Sequence, residues 1–140
     1  MREIFLAFNI PGEPVAFARS GGNGSIRFTP KKQRSHAGVI KHFAEQAMFS
    51  QECEMTDRPL ALTITVTYSQ PTSWSKKKKA ATIFKTSKPD ADNLAKLVMD
   101  ACNQLVWKDD AQIAVLTVQK AYGDKPGTTV KVEFLSGEKE

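Results

Sequence analysis

The segment Lys88–Lys96 reads KPDADNLAK, and a second acidic pair follows at Asp109 and Asp110. Carboxylates two positions apart in an extended or turning segment can point the same way, so Asp90 and Asp92 can offer oxygen donors to one point. A hard divalent cation requires such ligands. A structural reading competes with this one. Pro89 disfavours a helical Lys88, which puts a helix start just after it, with Asp90 or Asp92 near the N-cap. A carboxylate there caps backbone N–H groups and sits at the positive end of the helix dipole, which accounts for one aspartate better than for two. Lys96 lies four residues after Asp92 and Asp100 four after Lys96, so all three can share a helical face. An ordinary surface ion-pair ladder, worth little energetically, would look the same.

Asp110 can reach Asp90 only if the chain returns. A helix from about Asp92 to Asn103 rises roughly 18 Å at 1.5 Å per residue. Gln104 to Asp110, if extended, cover at most roughly 23 Å at about 3.3 Å each, enough to come back beside the helix to its N-terminal end. A cluster of three aspartates is therefore feasible.

The elements that must position these residues follow from periodicity. Ile4, Leu6, Phe8 and Ile10 alternate on one face of a first strand that ends at Pro11 and Gly12. Gly21–Ser25 (GGNGS) suits an irregular hairpin tip. Thr29 and Pro30 then offer a cap and first turn for a helix carrying Val39, Ile40, Phe43, Ala47 and Met48 at helical spacing. Leu60, Leu62, Ile64, Val66 and Tyr68 alternate with Ala61 and threonines, a β-prone pattern that stops at Pro71. SWSKKKKAATIF, whose periodicity is poor, fits a short basic helix capped by Ser73 or Ser75 better than the alternative of a loop. Leu94, Leu97, Val98, Ala101 and Leu105 mark an amphipathic helix after KPDADN. Ile113–Val118 and Thr128–Phe134 read as strands joined by YGDKPG. The expected fold is α+β: residues 1–140 as a single domain with a small mixed sheet of about four strands, helices packed on one face, and residues 135–140 as a frayed tail.

Composition limits the function. The 140 residues have 41% hydrophobic and 25% charged content, typical of a soluble globular chain. No apolar run approaches the roughly 20 residues that cross a bilayer. The alternating start does not read as a signal peptide, so the expectation is a cytoplasmic protein without a membrane partner. Cys53 and Cys102 stand far apart with no CxxC, which points to two free thiols rather than zinc. His36 and His42 are six apart and share no helical face, and no nucleophile pairs with them.

The formal charge of +5 suggests an anionic partner. Basic residues concentrate in Arg19–Lys41, including Arg19, Arg27, Lys31 and Lys32, and again in Lys76–Lys88, with Lys76, Lys77, Lys78, Lys79 and Lys88. A solvated face would explain either run alone; two runs ahead of an acidic cluster suggest a phosphate-binding surface. Trp107, before the acidic pair, is expected to pack in the core. Trp74 could stack on a base or pack in the same way.

The stretch KPDADNLAKLVMDACNQLVWKDDAQI resembles the signature of RusA-type Holliday junction resolvases: a KPDxDNLxK block, an aspartate four residues later, then an aromatic residue, DD and QI. GEPVAFAR and IRFTPKK resemble that family's basic N-terminal segment more loosely. The resemblance implies a dimeric Mg²⁺-dependent endodeoxyribonuclease of bacterial or phage origin, with Mn²⁺ as a possible substitute. Such enzymes cut four-way junction DNA in recombination and repair or phage DNA processing. By position it implies metal-binding aspartates at Asp90, Asp92 and Asp110 and a functional lysine at Lys96, with Asp109 as a supporting residue or alternative ligand. Gln104 stands where related sequences often have glycine, and Asn103 is a candidate for the left-handed turn in its place. A homodimer would supply two active sites for paired nicks, with Ile113–Val118 or the face of the acidic helix at its interface.

The residues are chemically consistent with that implication. Carboxylate-held Mg²⁺ can activate water and neutralise phosphate charge, while Lys96 can stabilise the phosphate or position the water. Two other functions fit the same residues. One is a metal-dependent nuclease acting on other branched or flap DNA; the other is a non-catalytic basic DNA-binding module whose aspartates cap a helix.

Overall fold

Strand β2 (Leu60–Tyr68) lies inside the sheet, and its two faces meet two environments. Its row Leu60, Leu62, Ile64, Val66 and Tyr68 is buried under helices, while Thr63, Thr65 and Thr67 on the opposite face are only half-buried. The computed structural model describes residues 2–14 and 31–135, with side chains in the second stretch from residue 37. Arg19, Arg27, the GGNGS hairpin, the Thr29–Pro30 cap and residues 136–140 of the expected tail lie outside the described residues.

Element order is β1 (Glu3–Pro11), α1 (Lys31–Ser50), β2, α2 (Lys76–Ala81), α3 (Ala91–Cys102), a 3₁₀ turn (Asp110–Gln112), β3 (Ile113–Tyr122) and β4 (Gly127–Phe134). The four strands form one mixed sheet in the order β1-β4-β2-β3. β4 is antiparallel to β1 and β2, and β3 is parallel to β2. Parallel neighbours require a long crossover, and α2 and α3 provide it. YGDKPG does join β3 to β4, but the two strands are not hairpin neighbours because β2 lies between them. Among the described residues no helix is long and apolar enough to cross a membrane.

The core lies between one sheet face and α1 with α3. Ile40, Ala44, Ala47 and Met48 of α1 and Leu94, Leu97, Val98 and Ala101 of α3 close over Leu6, Ile10, Leu62, Ile64, Val130 and Val132. Burying each large aliphatic side chain contributes roughly 1.5–3 kcal/mol. One expectation for β1 fails. The register shifts between Ile4 and Leu6, so Phe5 is inserted as a bulge and stacks on Phe134 with ring centroids 4.8 Å apart. Ile4 is left 60% exposed. A bulge flips the alternation, which sequence periodicity alone does not register.

Candidate active site

Asp90 occupies the N-cap of α3 with extended backbone (φ −71°, ψ 148°), yet its side chain makes no capping hydrogen bond. Its Oδ2 lies 3.4 Å from Lys88 Nζ instead, with both side chains substantially exposed. The structural reading of this aspartate therefore loses its main support. The Asp90 carbonyl accepts the N–H groups of Asn93 and Leu94 and starts the helix without using the carboxylate. Asp92 stands exposed in the first turn.

The aspartate that caps is Asp109. Its Oδ1 accepts the Ala111 N–H at 3.1 Å, and Gln112 Oε1 accepts the Asp109 N–H at 2.8 Å, a reciprocal capping box on the 3₁₀ turn. Gln112 Nε2 also donates to the Thr56 and Arg58 carbonyls. Asp110 is left for other work: its Oδ1 accepts the indole N–H of Trp107 at 2.7 Å.

Asp92, Ala95, Lys96, Met99, Asp100, Asp110 and Leu116 line one groove of about 310 Å³. α3 contributes five of these residues, the 3₁₀ turn Asp110 and the edge strand β3 Leu116. Lys96 Nζ lies 3.3 Å from Asp100 Oδ2, and both side chains are more than half exposed. An ion pair this exposed is worth about 0–1 kcal/mol and yields readily to a better anion. Among the described residues no three His, Cys, Asp or Glu side chains converge tightly enough to hold one ion. Of the three aspartates expected to cluster, Asp92 and Asp110 share the groove, whereas Asp90 is outside its lining. An exposed carboxylate at Asp92 and a half-buried one at Asp110 still suit a hard cation that keeps several of its waters and takes further oxygens from a phosphate.

The return from α3 is a tight turn rather than the extended run anticipated. Gln104 N donates to the Trp107 carbonyl at 2.7 Å and Val106 N to the Cys102 carbonyl at 2.9 Å. Gln104 itself takes the left-handed conformation (φ 63°), and Asn103, proposed for that role, is extended (φ −62°, ψ 131°). Val106 and Trp107 are fully buried, and drawing both into the core shortens the path to Asp110. Burial, with a smaller contribution from the Asp110 charge, pushes the Cys102 thiol up to about 12. Both cysteines are free thiols.

α2 is the short basic helix expected, capped by Ser75, whose Oγ accepts the Lys78 N–H. Lys76, Lys77 and Lys78 are exposed and Lys79 is half-buried. Lys78 Nζ lies 4.4 Å above the Trp74 ring, which packs edge-on against Tyr122 at 5.1 Å. Trp74 is thus half-buried between a cation and an aromatic ring. Lys88 is 84% exposed beside Asp90. Lys31 and Lys32 open α1, and their side chains are outside the described set.

Two contacts escape sequence reasoning: the Trp107 donor to Asp110, and Lys120, whose Nζ donates to the Ser87 and Pro89 carbonyls ahead of Asp90. The available signal for Lys120 was a charge interrupting the inward row of Val118 and Tyr122 on β3.

An α+β domain with a carboxylate pair and a lysine in one groove, and a lysine-rich helix in the crossover that leads to it, has the layout of an enzyme acting on nucleic-acid phosphates. Residues 11–133 match the family described as Endodeoxyribonuclease RusA, and the chain belongs to that family. It is 34% identical over 141 aligned residues to the uncharacterized protein YqaN of Bacillus subtilis (strain 168), covering 94% of this chain and 97% of that one. It is also 34% identical over 83 residues to the crossover junction endodeoxyribonuclease rusA of Lactococcus phage r1t, covering 59% of this chain and 60% of the phage protein.

Proposed function

We propose that this chain is a metal-dependent endodeoxyribonuclease that resolves four-way DNA junctions as a homodimer. The observation carrying this reading is the shared groove of Asp92, Asp110 and Lys96. Family membership and the printed activity of the phage relative support it. Mg²⁺, with Mn²⁺ as substitute, would be held chiefly by Asp92 and Asp110 with Asp90 adjacent, and when bound it supplies Lewis-acid charge and a more acidic attacking water.

The chain's own residues do the rest. Asp110 presents a carboxylate with one oxygen already fixed by the Trp107 N–H, so less freedom is lost when it binds. Lys96 leaves its weak pair with Asp100 for a phosphate oxygen, where its charge meets the negative charge that develops during cleavage. Asp109 holds the 3₁₀ turn that carries Asp110. Lys76–Lys79, Lys88 and the basic residues Arg19, Arg27, Lys31 and Lys32 grip the backbone, which gives affinity without base reading. Two-fold pairing of subunits would match the junction's symmetry, and the edge of β3 over Ile113–Val118 is the proposed contact.

Cleavage of a synthetic four-way junction with and without Mg²⁺ tests the proposal. Asp90→Asn and Asp110→Asn should keep junction binding and lose cutting, and equal cutting by either variant would sink the assignment. Flap and duplex substrates run in parallel separate junction resolution from broader branched-DNA cleavage. A monomeric sedimentation mass at micromolar concentration would overturn the dimer.

A further inference from the structure

The segment between α2 and α3 ends at Asp90, the N-cap of the helix whose first turn carries Asp92 into the groove, and β3 holds that segment in two ways. Its first part is tied through backbone: the Tyr122 N–H donates to the Ile83 carbonyl at 2.8 Å, and the Lys85 N–H to the Lys120 carbonyl at 3.0 Å. Beyond Lys85 the hydrogen bonds between this segment and the sheet among the described residues come from one side chain. Lys120 Nζ donates to the Ser87 carbonyl at 2.9 Å and to the Pro89 carbonyl at 2.7 Å. Lys120 lies on the helix-covered face, level with fully buried Val66 in the parallel ladder.

A lysine on an edge strand often serves only to discourage pairing with other chains. That role needs a solvated ammonium group. Lys120 is half-buried, and two of its three N–H donors go to carbonyls on either side of Lys88. β3 therefore sets both sides of the site. Its lead-in turn carries Asp110, and Lys120 secures the backbone that ends in Asp90.

We propose that Lys120 is a positioning residue for the carboxylate site, clamping Ser87–Pro89 onto β3 and so setting Asp90 and the first turn of α3 relative to Asp110. The positioning role rests on the nuclease reading; the clamp itself does not.

Lys120→Met keeps the aliphatic stem and removes the donors, and Lys120→Arg restores donors. In the intact protein without metal, amide exchange at Asn93 and Leu94, whose N–H groups donate to the Asp90 carbonyl, should speed up on the order of tenfold in the Met variant, with β2 and β4 unaffected and the Arg variant closer to wild type. The Mn²⁺ concentration giving half-saturation, measured by calorimetry, should rise by about 10–100-fold. Junction affinity in EDTA and its salt dependence should not change. Unchanged exchange or unchanged Mn²⁺ binding overturns the proposal. So does a loss of junction affinity with a salt slope shallower by about one, because Lys120 would then contact phosphate directly. If the Met variant does not fold, Lys120→Gln, which is polar but shorter, is judged by the same criteria. A wild-type protein that binds Mn²⁺ yet cuts no DNA would remove the nuclease reading and leave the exchange result to judge the clamp.

Discussion

The Trp107 indole N–H donates to Asp110 Oδ1 across 2.7 Å from a ring with no solvent exposure. A buried indole needs a partner for its one donor, and here the partner is a carboxylate of the groove. Core packing and site geometry are thereby coupled: the ring that fills the core beneath α3 also fixes one oxygen of Asp110.

Trp107→Phe should keep most of the packing and lose the donor. Stability should fall by about 1–3 kcal/mol, and the Mg²⁺ needed for half-maximal cleavage should rise by about tenfold or more. Urea unfolding and metal titrations read the two effects separately. A stability loss with unchanged metal dependence would reduce the contact to packing.

Neutralising Lys76 and Lys77 of α2 together (Lys76→Gln, Lys77→Gln) should weaken junction binding and flatten its salt dependence by about 0.9 for each phosphate the variant no longer neutralises. Metal dependence should stay as in wild type, because neither lysine lines the groove. Binding curves at several salt concentrations, in EDTA, test this. An unchanged slope would make these lysines a solvated face.

Gln104 holds φ 63°, a conformation that costs an L-residue roughly 1–2 kcal/mol and glycine much less. After the extra chain entropy of glycine is subtracted, Gln104→Gly should stabilise the fold by up to about 1 kcal/mol without altering cleavage. Denaturant midpoints decide; a destabilised variant would mean the Gln104 side chain makes contacts that outweigh the backbone strain.

Burial raises the Cys102 thiol and the Tyr68 phenol each to about 12, from ordinary values of 9.0 and 10.0. Below about pH 9 both states of the chain carry these protons and stability is unaffected. From about pH 9 for Cys102 and about pH 10 for Tyr68, up to about 12, the unfolded chain has lost a proton that the folded chain keeps, so stability should fall as pH rises, by up to about 1.4 kcal/mol per pH unit for each such proton. Cys102→Ala, measured in metal-free buffer, should lower stability at neutral pH and flatten the alkaline decline. An identical decline would assign it to other groups. In the native wild type, a thiol reagent should modify half-buried Cys53 and spare Cys102.

What the amino-acid sequence determined by itself was local. Pro89 and the apolar spacing of Leu94, Leu97, Val98 and Ala101 marked α3, alternation marked β2, and Ser73 or Ser75 before four lysines marked α2, because each signal lies within a few turns of chain. The acidic motif likewise pointed to the family that residues 11–133 match. Tertiary structure decided which carboxylate does what. Asp109 and Asp110 are chemically identical neighbours, and only the 3₁₀ turn and the buried Trp107 make one a cap and turn the other into the groove. Strand order placed β2 between β3 and β4 and put Lys120 beneath the Asp90 loop, 31 residues away from Pro89 in the chain. Such contacts depend on which distant segments become neighbours, and that follows from packing a whole sheet rather than from the spacing of any one motif.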